Sequence, residues 1–193
     1  MTIPGAGVTS GSSLVLRLVR GAALWALPIL VFMAIAMTWF YRSSTYKLFD
    51  EPLNNTITAL IASVDFGPNE EVLLSREPID QRYQQPLSGY YWIIGSVDRE
   101  GRIRPVRSSR SMAGETLRLA APDVHTLDNS PGTFVQTRAK GPDVNEPLRV
   151  VAKSVVFTET GETPLVMIAA ADSRPAARGV RNFALLVFGL MVF

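Results

Sequence analysis

The chain has 193 residues, a formal net charge of +2, one histidine and no cysteine. So small a charge, with no long basic run, argues against a nucleic-acid partner, and the lack of cysteine excludes disulfides and thiolate metal sites. The length allows one domain of ordinary size plus membrane segments.

Residues 1–13, MTIPGAGVTSGSS, are small and polar and predict a disordered tail. Gly5-Ala6-Gly7 follows no strand and precedes no Lys-Ser or Lys-Thr pair, so it is not a phosphate-binding loop. From Gly21 to Tyr41 there is no charged side chain. A helix of about 20 residues, rising ~1.5 Å per residue, spans a hydrocarbon core of roughly 30 Å, which predicts a transmembrane helix. The run is longer than the core of a signal peptide, and Thr38-Trp39-Phe40 is not a small-residue cleavage site, which favours an uncleaved anchor over a cleaved leader. Pro28 predicts a kink, and Trp39 and Tyr41 suit the outer interface. Arg17 and Arg20 precede the run without an acid, so the N-terminus is expected in the cytoplasm and the following domain outside. Arg174, Arg178 and Arg181 are a contrary signal on the outer side, but long loops translocate largely regardless of charge.

Beyond the anchor, Tyr46, Phe49, Leu53, Ile57, Leu60, Ile61 and Val64 recur at intervals of three and four, one face of a helix. Two readings stay open for this stripe: it packs on the domain's own sheet, or it forms a parallel seam with a second copy. Pro52 predicts a break or the start of a separate helix, and Phe66-Gly67-Pro68-Asn69 predicts the stop. Asn54-Asn55-Thr56 has the form of a glycosylation acceptor, a triplet common by chance.

Short strands follow, divided by turn residues. They are predicted at Glu71 to Arg76, Tyr90 to Val97, Arg102 to Ser108, Thr133 to Lys140, Leu148 to Thr158 and Pro164 to Ala171. Asp98-Arg99-Glu100-Gly101, Gly141-Pro142-Asp143 and Glu159-Thr160-Gly161-Glu162 are the predicted turns. Residues 109–131 read as a loop with a short strand near Thr116 to Leu119. The fold class expected is α+β: a long N-terminal helix packed on a five-stranded antiparallel sheet. Asp172-Ser173-Arg174-Pro175 predicts a helix start that runs into the apolar Phe183 to Phe193. That run is too short to span, and reads as a second transmembrane helix cut short or as an interfacial helix.

The segment Gln85-Pro86-Leu87-Ser88-Gly89-Tyr90-Tyr91-Trp92-Ile93-Ile94 is similar to the one that opens the central strand in sensor regions of many proteobacterial two-component histidine kinases. Val97-Asp98-Arg99-Glu100-Gly101-Arg102-Ile103 resembles the hairpin of extracytoplasmic PAS-like sensor domains. The resemblance covers roughly residues 14–193. It implies a cytoplasmic tail at 1–20, a transmembrane helix at 21–41, a PAS-like sensor domain at 42–173, and a helix entering a second span at 174–193. It further implies a homodimer in the bacterial inner membrane, with a small ligand or membrane stimulus outside and a response regulator inside. ATP and magnesium would belong to a kinase core beyond Phe193; no cofactor is expected in this chain, which should be catalytically inert. The sensor region of a diguanylate cyclase or chemotaxis receptor, or a non-catalytic membrane adaptor, are the alternatives.

Candidate ligand contacts come from two clusters. Tyr90 and Trp92 share one face of their strand and could form an aromatic pocket wall, or simply contact the anchor helix. Arg102, Arg104, Arg107 and Arg110 could grip a carboxylate or phosphate, or protect an edge strand by charge. Attraction to anionic headgroups is open for Arg174, Arg178 and Arg181. His125 with Asp123 and Asp128, and Asp65 with Glu70 and Glu71, are more simply solvated than metal-binding, and no catalytic triad is spaced in the chain.

Overall fold

A computed structural model describes residues 12–68, 71–98, 100, 102–158 and 164–192. The chain divides into two compact units, one of Met1–Ser43 with Val180–Phe193, the other of Ser44–Gly179. Two helices contribute to both: α1 (Ser12–Ser63) and α3 (Arg174–Val192).

Over Arg17–Ser63, which runs from the first unit into the second, α1 is long and apolar enough to cross a membrane. Leu24, Trp25, Phe32, Trp39 and Phe40 all face outward. Tyr41 stacks on Phe183 of α3 with ring centroids 4.2 Å apart, and Ala34 is buried. The helix already includes Ser12 and Ser13, the last two residues of the tail expected over 1–13; residues 1–11 lie outside the described residues.

In the second unit, α1 continues through Pro52 without the predicted break. A proline forfeits its own hydrogen bond and crowds the carbonyl four residues back, a cost outweighed here by the burial of Leu53, Ile57 and Leu60 just beyond it. The helix ends at Ser63, earlier than the Gly-Pro signal, because Val64 to Phe66 forms β1, a short strand antiparallel to β2 (Val72–Leu74). The main sheet contains β3 (Tyr90–Val97), β4 (Ile103–Ser108), β5 (Phe134–Lys140), β6 (Pro147–Val155) and β7 (Leu165–Asp172). Its order is β4-β3-β7-β6-β5, with antiparallel pairing throughout. The molecule is therefore α+β, with a five-stranded antiparallel sheet and a long N-terminal helix. The turn expected at 98–101 lies partly, and that at 159–162 wholly, outside the described residues.

The two central strands read as unbroken apolar runs because both sheet faces are covered. On one face Leu53, Ile57 and Leu60 of α1 bury against Trp92, Ile94, Val151, Met167 and Ala169. Alanines at 169 and 171 give the helix a shallow floor. On the other face Tyr91, Ile93, Val150 and Ile168 meet Met112, Leu117, Val124 and Leu127. That second cover corrects the predicted loop: residues 109–131 hold a 3₁₀ turn (Arg110–Met112) and α2 (Ala121–Asn129). With only nine residues and two buried apolar positions, α2 is too short to show a helical period. The strand expected near Thr116 to Leu119 reduces to one isolated bridge between Arg102 and Arg118.

Candidate functional site

Before β3 the chain folds into a short platform. Asp80 caps the 3₁₀ turn Gln81–Gln84 by accepting from Arg82 N at 2.9 Å. The same carboxylate takes the Arg82 guanidinium, Nε to Oδ2 at 2.9 Å and Nη2 to Oδ2 at 2.5 Å. That pairing holds the Asp80 carboxyl below its ordinary range and pushes Arg82 up. Arg82 then lies 3.8 Å over the Tyr90 ring. Tyr83 is buried, sits edge-on to Tyr90 at 6.5 Å, and shares a hydrogen bond with Thr56 of α1 at 3.0 Å. Burial pushes its phenol up, partly opposed by the Thr56 bond.

Between this platform and α1 lie two adjoining cavities. One of about 350 Å³ is lined by Phe49, Pro52, Thr56, Arg82, Tyr83 and Tyr90. The other, about 680 Å³, is lined by Asn55, Ala59, Ala62, Arg76, Ile79 and Tyr83. Asn55, Thr56, Asp80 and Tyr83 border both. The pair forms a trough with polar groups on both walls, Asn55 and Thr56 from α1 and Arg76, Asp80 and Arg82 from the facing segment, and an accessible rim where Ile79 is 85% exposed. Volumes of this size suit a small organic ligand.

The residues expected to bind a ligand separate. Tyr90 lines the trough, whereas Trp92 is buried beneath α1 in the apolar core. The arginines do not converge. β4 is a sheet edge; Arg102 pairs with Asp98 and Glu100 of its own hairpin. Arg107 donates to the Val72 carbonyl at 3.1 Å and pairs with Glu71, tying the edge to β2. Arg104 and Arg110 are exposed on the edge strand and the following 3₁₀ turn. His125 lies exposed on α2 rather than on a loop, with Asn129 as its neighbour. Of the expected acidic cluster, Glu70 lies outside the described residues, and among the described residues no three acids or histidines are placed to hold a metal ion.

Two polar ties were missed in the sequence. Asp50, inside the apolar stripe of α1, accepts from Arg149 of β6 at 2.7 and 2.6 Å, and this bond pushes Arg149 up. An acid set between Phe49 and Leu53 of the apolar face was the available signal. Glu146, in the turn before β6, is buried and accepts from the Tyr91 hydroxyl at 3.0 Å. Burial first, and then Glu146, push the Tyr91 phenol well above its ordinary value. Nothing in a turn sequence marks that acid as internal.

The chain matches no family model, no curated protein and no solved structure.

Proposed function

We propose that the chain is the signal-sensing region of a membrane receptor, with residues 44–179 as an extracytoplasmic, PAS-like ligand domain and the trough beside α1 as its ligand site. The observation that carries this reading is that α1 forms both a wall of the trough and the cover of one sheet face. A ligand seated there bears directly on the helix that also supplies the apolar, membrane-length segment. The hairpin β3–β4 followed by the meander β5–β6–β7 supports the PAS-like comparison. The ligand class that suits the lining is a small organic molecule with hydrogen-bonding groups for Asn55, Thr56 and Arg76, since the Arg82 charge is already matched by Asp80. The receptor acts as a homodimer in a bacterial inner membrane, α3 enters a second span, and the effector is a histidine kinase using ATP and magnesium and a response regulator.

Impermeant maleimide tests the topology. Ile79→Cys should label from outside in intact cells, and Ser13→Cys only after permeabilisation; the reverse pattern rejects the reading. Sequencing the coding frame past Phe193 tests the effector. A histidine-bearing dimerisation helix supports the kinase, a Gly-Gly-Asp/Glu-Glu-Phe signature supports the cyclase, and a stop codon rejects both.

A further inference from the structure

The first residue of α3 sits among three carboxylates. Arg174 donates through Nε to Asp172 Oδ2 at 2.8 Å, while its backbone N–H donates to Asp172 Oδ1 at 2.9 Å. Its Nη2 stands 3.8 Å from Glu146 Oε1 and 3.9 Å from Asp143 Oδ2. Those two separations are about 1 Å longer than a charge-assisted hydrogen bond.

Glu146 is the member with the greatest need of that cation. Only 2% of it is exposed, and it accepts from the Tyr91 hydroxyl at 3.2 and 3.0 Å and from Asp143 N at 3.4 Å. A phenol and one long amide contact are weak company for a carboxylate withdrawn from water. Nor has Glu146 room to leave. A Cβ on Gly141 would stand 2.1 Å from its Oε2, and one on Gly89 would stand 3.1 Å from Asp172 Cβ, so bare backbone is packed against both acids. The Arg174 side chain, 37% exposed, is the member with space to move.

We propose that Arg174 is the moving contact of a two-seat clasp, held by Asp172 in the arrangement observed and by Glu146 in a second one. In the second seat Arg174 Nη2 closes the ~1 Å that separates it from a direct bond to Glu146, and the first turn of α3, led by Arg174, moves with it. Asp172 closes β7 and Glu146 precedes β6, and these strands are neighbours in the sheet. A change in how β6 and β7 meet therefore alters the relative pull of the two seats. The clasp stands independently of what the domain senses.

The chain has no cysteine, so Ala177→Cys, at an exposed position of α3, takes a single trifluoromethyl label, read by fluorine resonance on the full chain in lipid nanodiscs. Two lines, or one averaged position, report the seats. Asp172→Asn keeps the cap acceptor but weakens the first seat, and Tyr91→Phe strips Glu146 of its phenol. Both should raise the Glu146-seated population at least threefold. Glu146→Gln should displace the signal in the opposite direction. Any pattern in which Glu146→Gln does not oppose the other two, including no change in any variant or a common drift of all three, overturns the proposal.

Discussion

Ser154 shows how much a single buried polar atom decides. It is fully buried on the α2 side of β6, and its Oγ has no hydrogen-bond partner among the described residues. An unsatisfied buried hydroxyl costs about 1–3 kcal/mol. Ser154→Ala should therefore stabilise the domain by roughly 1 kcal/mol and raise its thermal midpoint by about 2–4 °C, and a calorimetric scan checks it. Tyr91 predicts a pH effect of definite sign. The unfolded phenol loses its proton near pH 10, whereas the folded one, desolvated and beside Glu146, holds it to higher pH. Its stabilising contribution is thus complete below pH 10 and is lost as the pH rises through the folded value. Denaturant titrations at pH 8 and pH 11 should show a steep loss of stability in the parent and a shallower one in Tyr91→Phe. Tyr83, also pushed up by burial, acts in the same sense, so the double variant should be shallower still. These residues were hardly legible in the sequence. Strand alternation does place Tyr91 opposite Tyr90 and Trp92, as the two core clusters bear out. It says nothing of the distant Glu146 that makes Tyr91 matter.

At the scale of elements, periodicity carried the reading as far as local patterns reach. The stripe from Phe49 to Leu60 and the strand Tyr90 to Val97 are long and regular, and both form as expected. Elements shorter than their own period escaped, such as α2 and the 3₁₀ turns, and strand order depends on long-range pairing such as β3 with β7. Spacing along β4 likewise does not reveal that Arg102 turns to its own hairpin and Arg107 to β2. The tie between α1 and β6 is equally non-local. Asp50 and Arg149 are both largely shielded, with side chains 8% and 18% exposed. Breaking a buried ion pair costs on the order of 3–5 kcal/mol, and the residual exposure of Arg149 favours the low end, about 3 kcal/mol. Asp50→Ala should lower stability by that amount. Replacing both partners with apolar residues should recover most of it, because no charge is then left stranded; equilibrium unfolding of the single and double variants measures the difference.

For the whole molecule, the two readings of the α1 stripe have a consequence for assembly. Leu53, Ile57 and Leu60 are consumed by the sheet, each at most 2% exposed, so they cannot also form a seam with a second copy. A dimer through this segment has to use the opposite face, where Leu48, Pro52, Asn55, Ala59 and Ala62 are exposed. These positions alternate by four and three, the spacing of a helical seam, and alanines let two backbones approach closely. The proposal of a homodimeric sensor therefore fixes which cysteines should cross-link. In membranes holding the full chain, single cysteines at Asn55, Ala59 and Ala62 should form disulfides between copies under mild oxidation. Those at Ile57 and Leu60 should not, and they should unfold the domain if forced to. The same seam runs beside the trough, since Asn55, Ala59 and Ala62 line its larger cavity. Dimer contact and ligand occupancy would then compete for one surface, so a saturating ligand should slow cross-linking at Ala59 and Ala62. Cross-linking at Ile57 or Leu60 at rates equal to Ala59 would reject this face as the seam.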